Sequence, residues 1–416
     1  MWINVTTAAV IIGVRDALET CCSIEIGKGN LREAGLLFHK GLFMSWGVAA
    51  IMLLVGFKLE DILVFFGQDP VVCAEVGKSI IWYSLYMFPY AFDCAFSALL
   101  QCQQILKPQN YAITMSMVVH PLWCYIFIYH LKLKSTGAGL TYLASSIFSC
   151  LLVYTCAKID NPHNLAVFFP TRDSFRKYRW IATVAFQSSI LLCLQWWIPE
   201  IGTFMVGLLN KYQLAAHICG YQIQMFFCIF PNIIHSAAIT LMGNYIGQRD
   251  KREFKKTSRV AIVLGIFLTL ASIVTVLPFT SFLAAVISND PIVIQITYDL
   301  LPFVFLYVFF DGVQTLIGSI FKALGRYGPA LNFTLLNCYL VGMPFSWLFG
   351  LKLDMGVNGI WLGFVVGFVG TIIFYGFYVW KMNYDVEIDN VLKESEVKSY
   401  TEIQNEDTNE EIVVRE

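Results

Sequence analysis

Charge is what this chain has least of. Of its 416 residues only 14% are Asp, Glu, Lys or Arg, where a soluble domain of ordinary composition carries about 25%. That shortage excludes a water-soluble globular enzyme, and a net charge of −1 gives no reason to expect a nucleic-acid partner. Paired cysteines are missing too. The twelve cysteines are scattered, mostly inside apolar runs (Cys94, Cys124, Cys193, Cys228, Cys338), with no C-x-x-C pair and no metal-type cluster. They read as small apolar packing residues, and no metal or other cofactor is expected. No His-x-x-x-Asp or comparable polar cluster is present, which argues against an intramembrane acyltransferase and against an enzyme of any kind.

What is present is apolar. Hydrophobic residues make up 57% of the chain and the mean hydropathy is +0.64. Stretches long enough to cross a bilayer, about 20 residues, recur along almost its whole length. The expected fold is all-α and polytopic. Eleven spans are expected, at 3–24, 36–57, 79–101, 109–131, 138–158, 180–209, 213–242, 258–284, 297–322, 329–350 and 358–381. Residues 384–416 are polar and acidic without helical apolar periodicity, which reads as a disordered tail.

Orientation follows from the basic residues in the connections. One set of alternate loops holds seventeen Lys and Arg, including Arg249, Lys251, Arg252, Lys255, Lys256 and Arg259, and the other set only six. The first set is assigned to the cytosol, together with the carboxyl-terminal tail, and eleven spans then put the amino terminus on the other side.

The chain also repeats itself. EIGKGNLREAG from Glu25 matches YIGQRDKREFK from Tyr245 at an offset of 220, and HLKLKSTGAGL (His130–Leu140) matches GLKLDMGVNGI (Gly350–Ile360) at the same offset. FFGQDPVV (Phe65–Val72) and VISNDPIV (Val286–Val293) agree at 221, and Asp93 and Asp311 fall two or three residues out of step. The reading is an amino-terminal lobe of five spans (1–158), a basic cytosolic interlobe loop (159–179), a carboxyl-terminal lobe of six spans (180–383) and the tail (384–416). Two homologous helical bundles around a central cleft are the architecture of a secondary transporter. The first lobe is short by its first span, equivalent to the helix carrying CLQWWIPE (Cys193–Glu200), so either a first helix is missing or the chain is an eleven-span variant.

These segments carry a resemblance. GVRDALETCCSIEIGKGN (Gly13–Asn30), CLQWWIPEIGTFMVGLL (Cys193–Leu209), SAAITLMGNYIGQRD (Ser236–Asp250), FFDGVQTLIGSIFKALGRYGPALN (Phe309–Asn332), YLVGMP and GVNGIWLGFVVG resemble, in order and spacing, segments of the multidrug and toxic compound extrusion (MATE) transporters of eukaryotes. In the family's helix numbering the chain begins at the second helix. The resemblance implies a V-shaped pair of bundles that exports organic cations or other amphipathic compounds in exchange for H⁺ or Na⁺. It also implies coupling through acidic residues of the carboxyl-terminal lobe. Glu200 and Asp311 fall at two of the family's four such positions, and the other two hold the amides Gln195 and Gln222, which cannot carry a proton at neutral pH.

The residues support this reading on their own chemistry. A carboxylate in the middle of a span costs about 2.5–3.5 kcal/mol on insertion scales, so Glu200 and Asp311 are expected to be functional, as proton or cation coupling groups. Pro199 removes a helical hydrogen bond just before Glu200 and kinks the span. Trp197 shares a helical face with Glu200 and offers a ring to a cation. Gln314 lies one turn from Asp311, and with Asp93, Gln195, Tyr221, Gln222 and Tyr339 it completes the expected cavity lining. Arg15 and Glu19, spaced i, i+4, are expected to form a structural ion pair. His120, His217 and His235 are expected to act as packing or polar glue, and Gly342, Gly359, Gly363 and Gly367 to mark close helix contacts. The partners expected are a small organic cation, H⁺ or Na⁺, and lipid. Membrane address, plasma or vacuolar, is left open. A lipid or lipid-linked oligosaccharide flippase and a non-transporting paralogue are the alternatives.

Overall fold

The computed structural model describes residues 4–65, 70–160 and 166–394, and among these no strand occurs. A bilayer offers no water to backbone N–H and C=O groups, and a helix satisfies them within its own segment. The chain divides inside its seventh helix into two units, Met1–Leu192 and Cys193–Glu416.

The first unit runs through a π-helical turn (Asn4–Ala8) into α1 (Ala9–Gly27), then α2 (Leu31–Gly56), the short α3 (Leu59–Phe65), α4 (Pro70–Cys102), α5 (Lys107–Cys124) and α6 (Lys134–Asp160). Helix α7 (Arg179–Gly207) leads into the second unit. There follow α8 (Lys211–Phe227), α9 (Ile229–Gly247), α10 (Lys251–Val276), α11 (Thr280–Ile287), α12 (Pro291–Ala323), α13 (Tyr327–Thr334), α14 (Met343–Trp347) and α15 (Gly356–Lys381). Three pairs are single bent rods: α8 with α9, α10 with α11, and α13 with α14, the last joined and ended by π-helical turns at Leu335–Gly342 and Leu348–Lys352. Counted as rods, and leaving aside the seven-residue α3, these helices number eleven, as many as the expected spans. Nine are long and apolar enough to cross a membrane by composition alone among the described residues. The two that are not are α1, which holds Arg15, Asp16, Glu19 and Glu25, and α4, which holds Asp93.

The internal repeat reappears as backbone geometry. The α1–α2 turn closes with Lys28, Gly29 and Asn30 N–H groups bonded to Ile24, Ile26 and Glu25 carbonyls, and the α9–α10 turn repeats this with Gln248, Arg249 and Asp250 on Asn244, Ile246 and Tyr245. The second residue of each turn has positive φ, Gly29 at 80° and Arg249 at 59°. Asn30 and Asp250 then cap the next helix, satisfying N–H groups that have no intrahelical partner. The α4–α5 and α12–α13 turns form a second such pair, with Gln104 and Gly325 at φ 60° and 64°.

One alignment is corrected by the structure. The shared LKL placed His130–Leu140 on Gly350–Ile360 at an offset of 220. Positive φ occurs at Lys132 and Lys134 in one unit and at Asp354 and Gly356 in the other, an offset of 222. The bonds Leu131 N–H to Ile126 and Leu353 N–H to Leu348 agree with 222. The side-chain identity was coincidental, because the turn is fixed by dihedral angles and not by the leucines around it.

A second correction concerns the tail. Residues 384–394, expected to be disordered, are helical. Ile388 (0% exposed) and Leu392 (4%), one turn apart, are buried, and the Tyr384 ring lies 5.7 Å from that of Phe254. The acids find cations brought near by the fold: Asp385 meets Lys255 at 3.0 Å, Asp389 meets Lys251 at 2.8 Å, and Arg326 takes Glu387 at 2.9 Å and Glu394 at 3.5 Å. Two apolar residues in a run of charge are too few to register as periodicity. The rest of the expected tail, 395–416, lies outside the described residues.

The interlobe segment is anchored at 166–175. Ser174 Oγ is 3.2 Å from His39 Nδ1 on α2, Phe175 stacks on Phe43 at 4.8 Å, and Phe168 meets His39 edge-on at 5.1 Å. Gly35 leaves room for this strap, since a Cβ there would lie 2.5 Å from the Ala166 carbonyl and the Phe168 ring.

Candidate functional site

The second unit places its acids beside two interruptions of backbone hydrogen bonding. The first is Pro199 inside the continuous helix α7, whose ring nitrogen cannot donate to the Gln195 carbonyl. A buried chain of hydrogen bonds fixes the turn that follows it. Trp361 Nε1–H on α15 donates to His217 Nδ1 at 3.0 Å. The His217 proton is thereby assigned to Nε2, which donates to Thr203 Oγ1 at 3.1 Å, and the Thr203 hydroxyl donates to the Pro199 carbonyl at 3.0 Å. Gly202 lets α15 come close, because a Cβ there would collide with the Phe364 ring. Glu200 follows directly, partly buried, on the segment this network holds.

The second break is Cys228, between α8 and α9. Its thiol reaches Asp311 Oδ2 on α12 at 3.5 Å and accepts from Gln224 Nε2 at 3.0 Å. Tyr307, one turn before Asp311, is buried, with Asp311 and Tyr221 within electrostatic reach, and Glu200 lies within the same reach of Tyr221. Gln314, one turn after Asp311 and 1% exposed, has neither amide atom hydrogen-bonded, and Gln224 Oε1 also has no partner. Burying a polar group without a partner costs about 1–3 kcal/mol. Its presence beside the carboxyl is a feature of the site to be explained.

The other sequence-selected residues are distributed as follows. Tyr339 donates its hydroxyl to the Leu194 carbonyl at 2.6 Å, tying the α13–α14 rod to α7. Gln195 is partly buried and Trp197 exposed on α7. Gln222 is exposed on α8, on the face of Ile218, Met225 and Phe226 and away from Asp311. Asp93 belongs to the first unit, partly buried on α4 and within electrostatic reach of Arg15. Arg15 pairs with Glu19 at 2.9 Å, as its spacing implies, and also donates to Gln101 at 3.3 Å. His120, His217 and His235 each bond a neighbouring helix.

Sequence reasoning missed Gln224, Cys228, Tyr307 and the His217–Trp361 pair. A signal for three of them existed. Tyr221, Gln224 and Cys228 follow i, i+3, i+7, and Tyr307, Asp311 and Gln314 follow i, i+4, i+7, so each set shares one helical face. No such signal announces Trp361, whose partner is 144 residues away. Among the described residues no group of His, Cys, Asp and Glu is arranged to hold a metal ion.

Comparisons with known proteins bear on this arrangement. The family model described as MatE matches residues 1–126 and 188–348. Multidrug and toxin extrusion protein 1 of Danio rerio is 25% identical over 365 residues, covering 87% of this chain and 61% of that protein, and its Homo sapiens counterpart is 24% identical over 395 residues, covering 91% and 67%. The chain thus spans less than two thirds of the zebrafish relative. The crystal structure of the eukaryotic MATE transporter AtDTX14 superposes with a TM-score of 0.88 at 21% identity, covering 94% of this chain and 88% of that one. The fold, the apolar rods and a family match over well over half the chain lead to one conclusion: this integral, multi-pass membrane protein belongs to the MATE family.

Proposed function

We propose that the protein is a secondary active antiporter that exports organic cations or other amphipathic compounds in exchange for H⁺, with Na⁺ as the alternative coupling ion. The observation that carries this reading is a pair of intramembrane acids in one unit, Glu200 on the segment held by the His217–Thr203–Pro199 hydrogen bonds and Asp311 against the Cys228 thiol. Charged groups at that depth are retained where they handle ions or substrates. The relatives' names, multidrug and toxin extrusion, point the same way.

In this reading each acid exchanges a proton for a cation. Protonated, the carboxyl is neutral and passes through the change of access at low cost. Ionised, it attracts the substrate's positive charge. One group then cannot hold both, which is the minimum requirement for exchange. Gln195 and Gln222 hydrogen-bond but carry no proton, so the exchange falls to Glu200 and Asp311. Gln195, Trp197, Tyr221, Gln314 and Tyr339 supply the substrate lining within the second unit. The carboxyl terminus is placed in the cytosol by the basic loops, in a plasma or vacuolar membrane.

The test is uptake of radiolabelled tetraethylammonium into vesicles with an imposed pH gradient, comparing the native chain with E200Q and D311N. Uptake that follows the gradient and falls at least tenfold in each variant supports the assignment. Undiminished uptake in both variants removes these acids from coupling. A silent native chain alongside an active relative would favour a non-transporting or lipid-handling role.

A further inference from the structure

A groove of ≈ 620 Å³ lies in the second unit between the α10–α11 bend and α12. Its size suits a drug-sized molecule, for which pockets run to about 300–1,000 Å³. One wall is a single face of α12, with Tyr298, Pro302, Phe305 and Phe309 at helical spacing, and the opposite wall is Leu270 and Ile273 of α10. The only ionisable carboxylate on it is Asp299.

Asp299 is an unusual residue for this surface. It is exposed and accepts one hydrogen bond, from Gln295 Nε2 at 3.1 Å, with no cation within ion-pair distance among the described residues. From Val260 to Phe321 the sequence holds no Lys, Arg or His, so neither wall supplies a positive charge. Pro302 has no N–H to offer the Tyr298 carbonyl, and the Thr280 hydroxyl is turned back onto Leu277. Apart from the Tyr298 hydroxyl, which can also donate, the polar groups of the groove are thus acceptors, beside three aromatic rings.

Depth orders these features. Helix α12, at 33 residues, is about 50 Å long and exceeds the roughly 30 Å hydrocarbon core. Asp299 lies about 12 Å from its start, at the level where headgroups meet chains, and Phe305 and Phe309 lie deeper. A guest with a positive head and an apolar aromatic body would meet the carboxylate with the first and the rings with the second.

We propose that this groove binds a lipophilic organic cation, seated on Asp299 and separate from Glu200 and Asp311. A phospholipid would bring an ammonium to the carboxylate as well, but its phosphate would find no Lys, Arg or His on either wall, which is why a simple cation is favoured over a phospholipid. The inference concerns equilibrium binding and does not depend on the antiport reading.

The probe is tetraphenylphosphonium, a permanent cation, in equilibrium binding to the purified full chain. The background is the E200Q/D311N double variant, which weakens any site at those acids. Saturable binding is expected to persist there, to weaken at least tenfold when D299N is added, and to recover with D299E. L270W, which places bulk in the groove at an exposed position, is expected to weaken it as well. Neutral triphenylphosphine oxide and added phosphatidylcholine should not compete. Equal affinity in D299N, or displacement by phosphatidylcholine, overturns the proposal. So does a native chain whose saturable binding vanishes in the double variant, a result that would leave the antiport reading standing. Undiminished, gradient-driven uptake in E200Q and D311N with groove binding intact would be the reverse outcome.

Discussion

Asp93 and Gln314 occupy equivalent positions in the two units. Helices α4 and α12 are both 33 residues long and both open on proline, so the offset of 221 that joins Pro70 to Pro291 also joins Cys102 to Ala323. It joins Asp93 to Gln314, and Asp311 to Tyr90. The two aspartates are three residues apart in this register, nearly one turn. The units share a backbone but hold their acids at different levels, so each acid must be tested on its own.

Gln314 is the first case. Its buried amide has no hydrogen-bond partner, so Q314L, which keeps the approximate volume, is expected to raise thermal stability in detergent by up to about 1–3 kcal/mol. Cation uptake is expected to fall in the same variant. A lower melting temperature would mean that the amide is structurally engaged, and unchanged uptake would remove it from the substrate path.

Two glycines of α15 separate packing from propensity. A Cβ on Gly363 would collide with the Ser346 backbone, while one on Gly376 would meet nothing within 4 Å. Backbone cannot move aside as a side-chain tip can. G363A is therefore expected to cost about 1–3 kcal/mol through overpacking, and G376A to be neutral or gain up to about 1 kcal/mol from helix propensity. Thermal unfolding of the two variants side by side decides it, and equal melting temperatures would contradict the close α14–α15 approach.

The helix 384–394 is held by two kinds of contact of unequal weight. Exposed ion pairs contribute roughly 0.2–1 kcal/mol each, whereas burying an isoleucine contributes about 1.5–3 kcal/mol. I388D is accordingly expected to release the helix at any ionic strength. R326A, which breaks the pairs to Glu387 and Glu394, should loosen it only partly. Hydrogen exchange over 384–394 reads both, and a larger effect for R326A than for I388D would reverse the ranking.

Most of the fold could be read from the sequence because the bilayer makes hydropathy nearly sufficient. The apolar rods and the close-packed glycines follow from residue type alone. The glycine expectation holds in detail, with Gly342 and Gly367 facing each other at a Cβ-to-Cα distance of 3.1 Å. The candidate site was half legible. Glu200 and Asp311 announce themselves as acids in apolar surroundings, but the choice of Gln222 over Gln224 went by motif position, and the helical face selects Gln224 as the amide beside Cys228 and Asp311.

Sequence by itself determined the class of this protein and its family, and it singled out two acids as candidates for coupling. Each of these depends on composition or local periodicity, which a chain carries before it folds. Tertiary structure alone decided which side chains meet: Trp361 with His217, Cys228 with Asp311, and the acidic carboxyl-terminal helix with Lys251, Lys255 and Arg326. It also set the register of the repeat. These partners lie tens to more than a hundred residues apart, and hydrogen bonds and ion pairs act over a few ångströms of space, so no local reading of the chain could have supplied them.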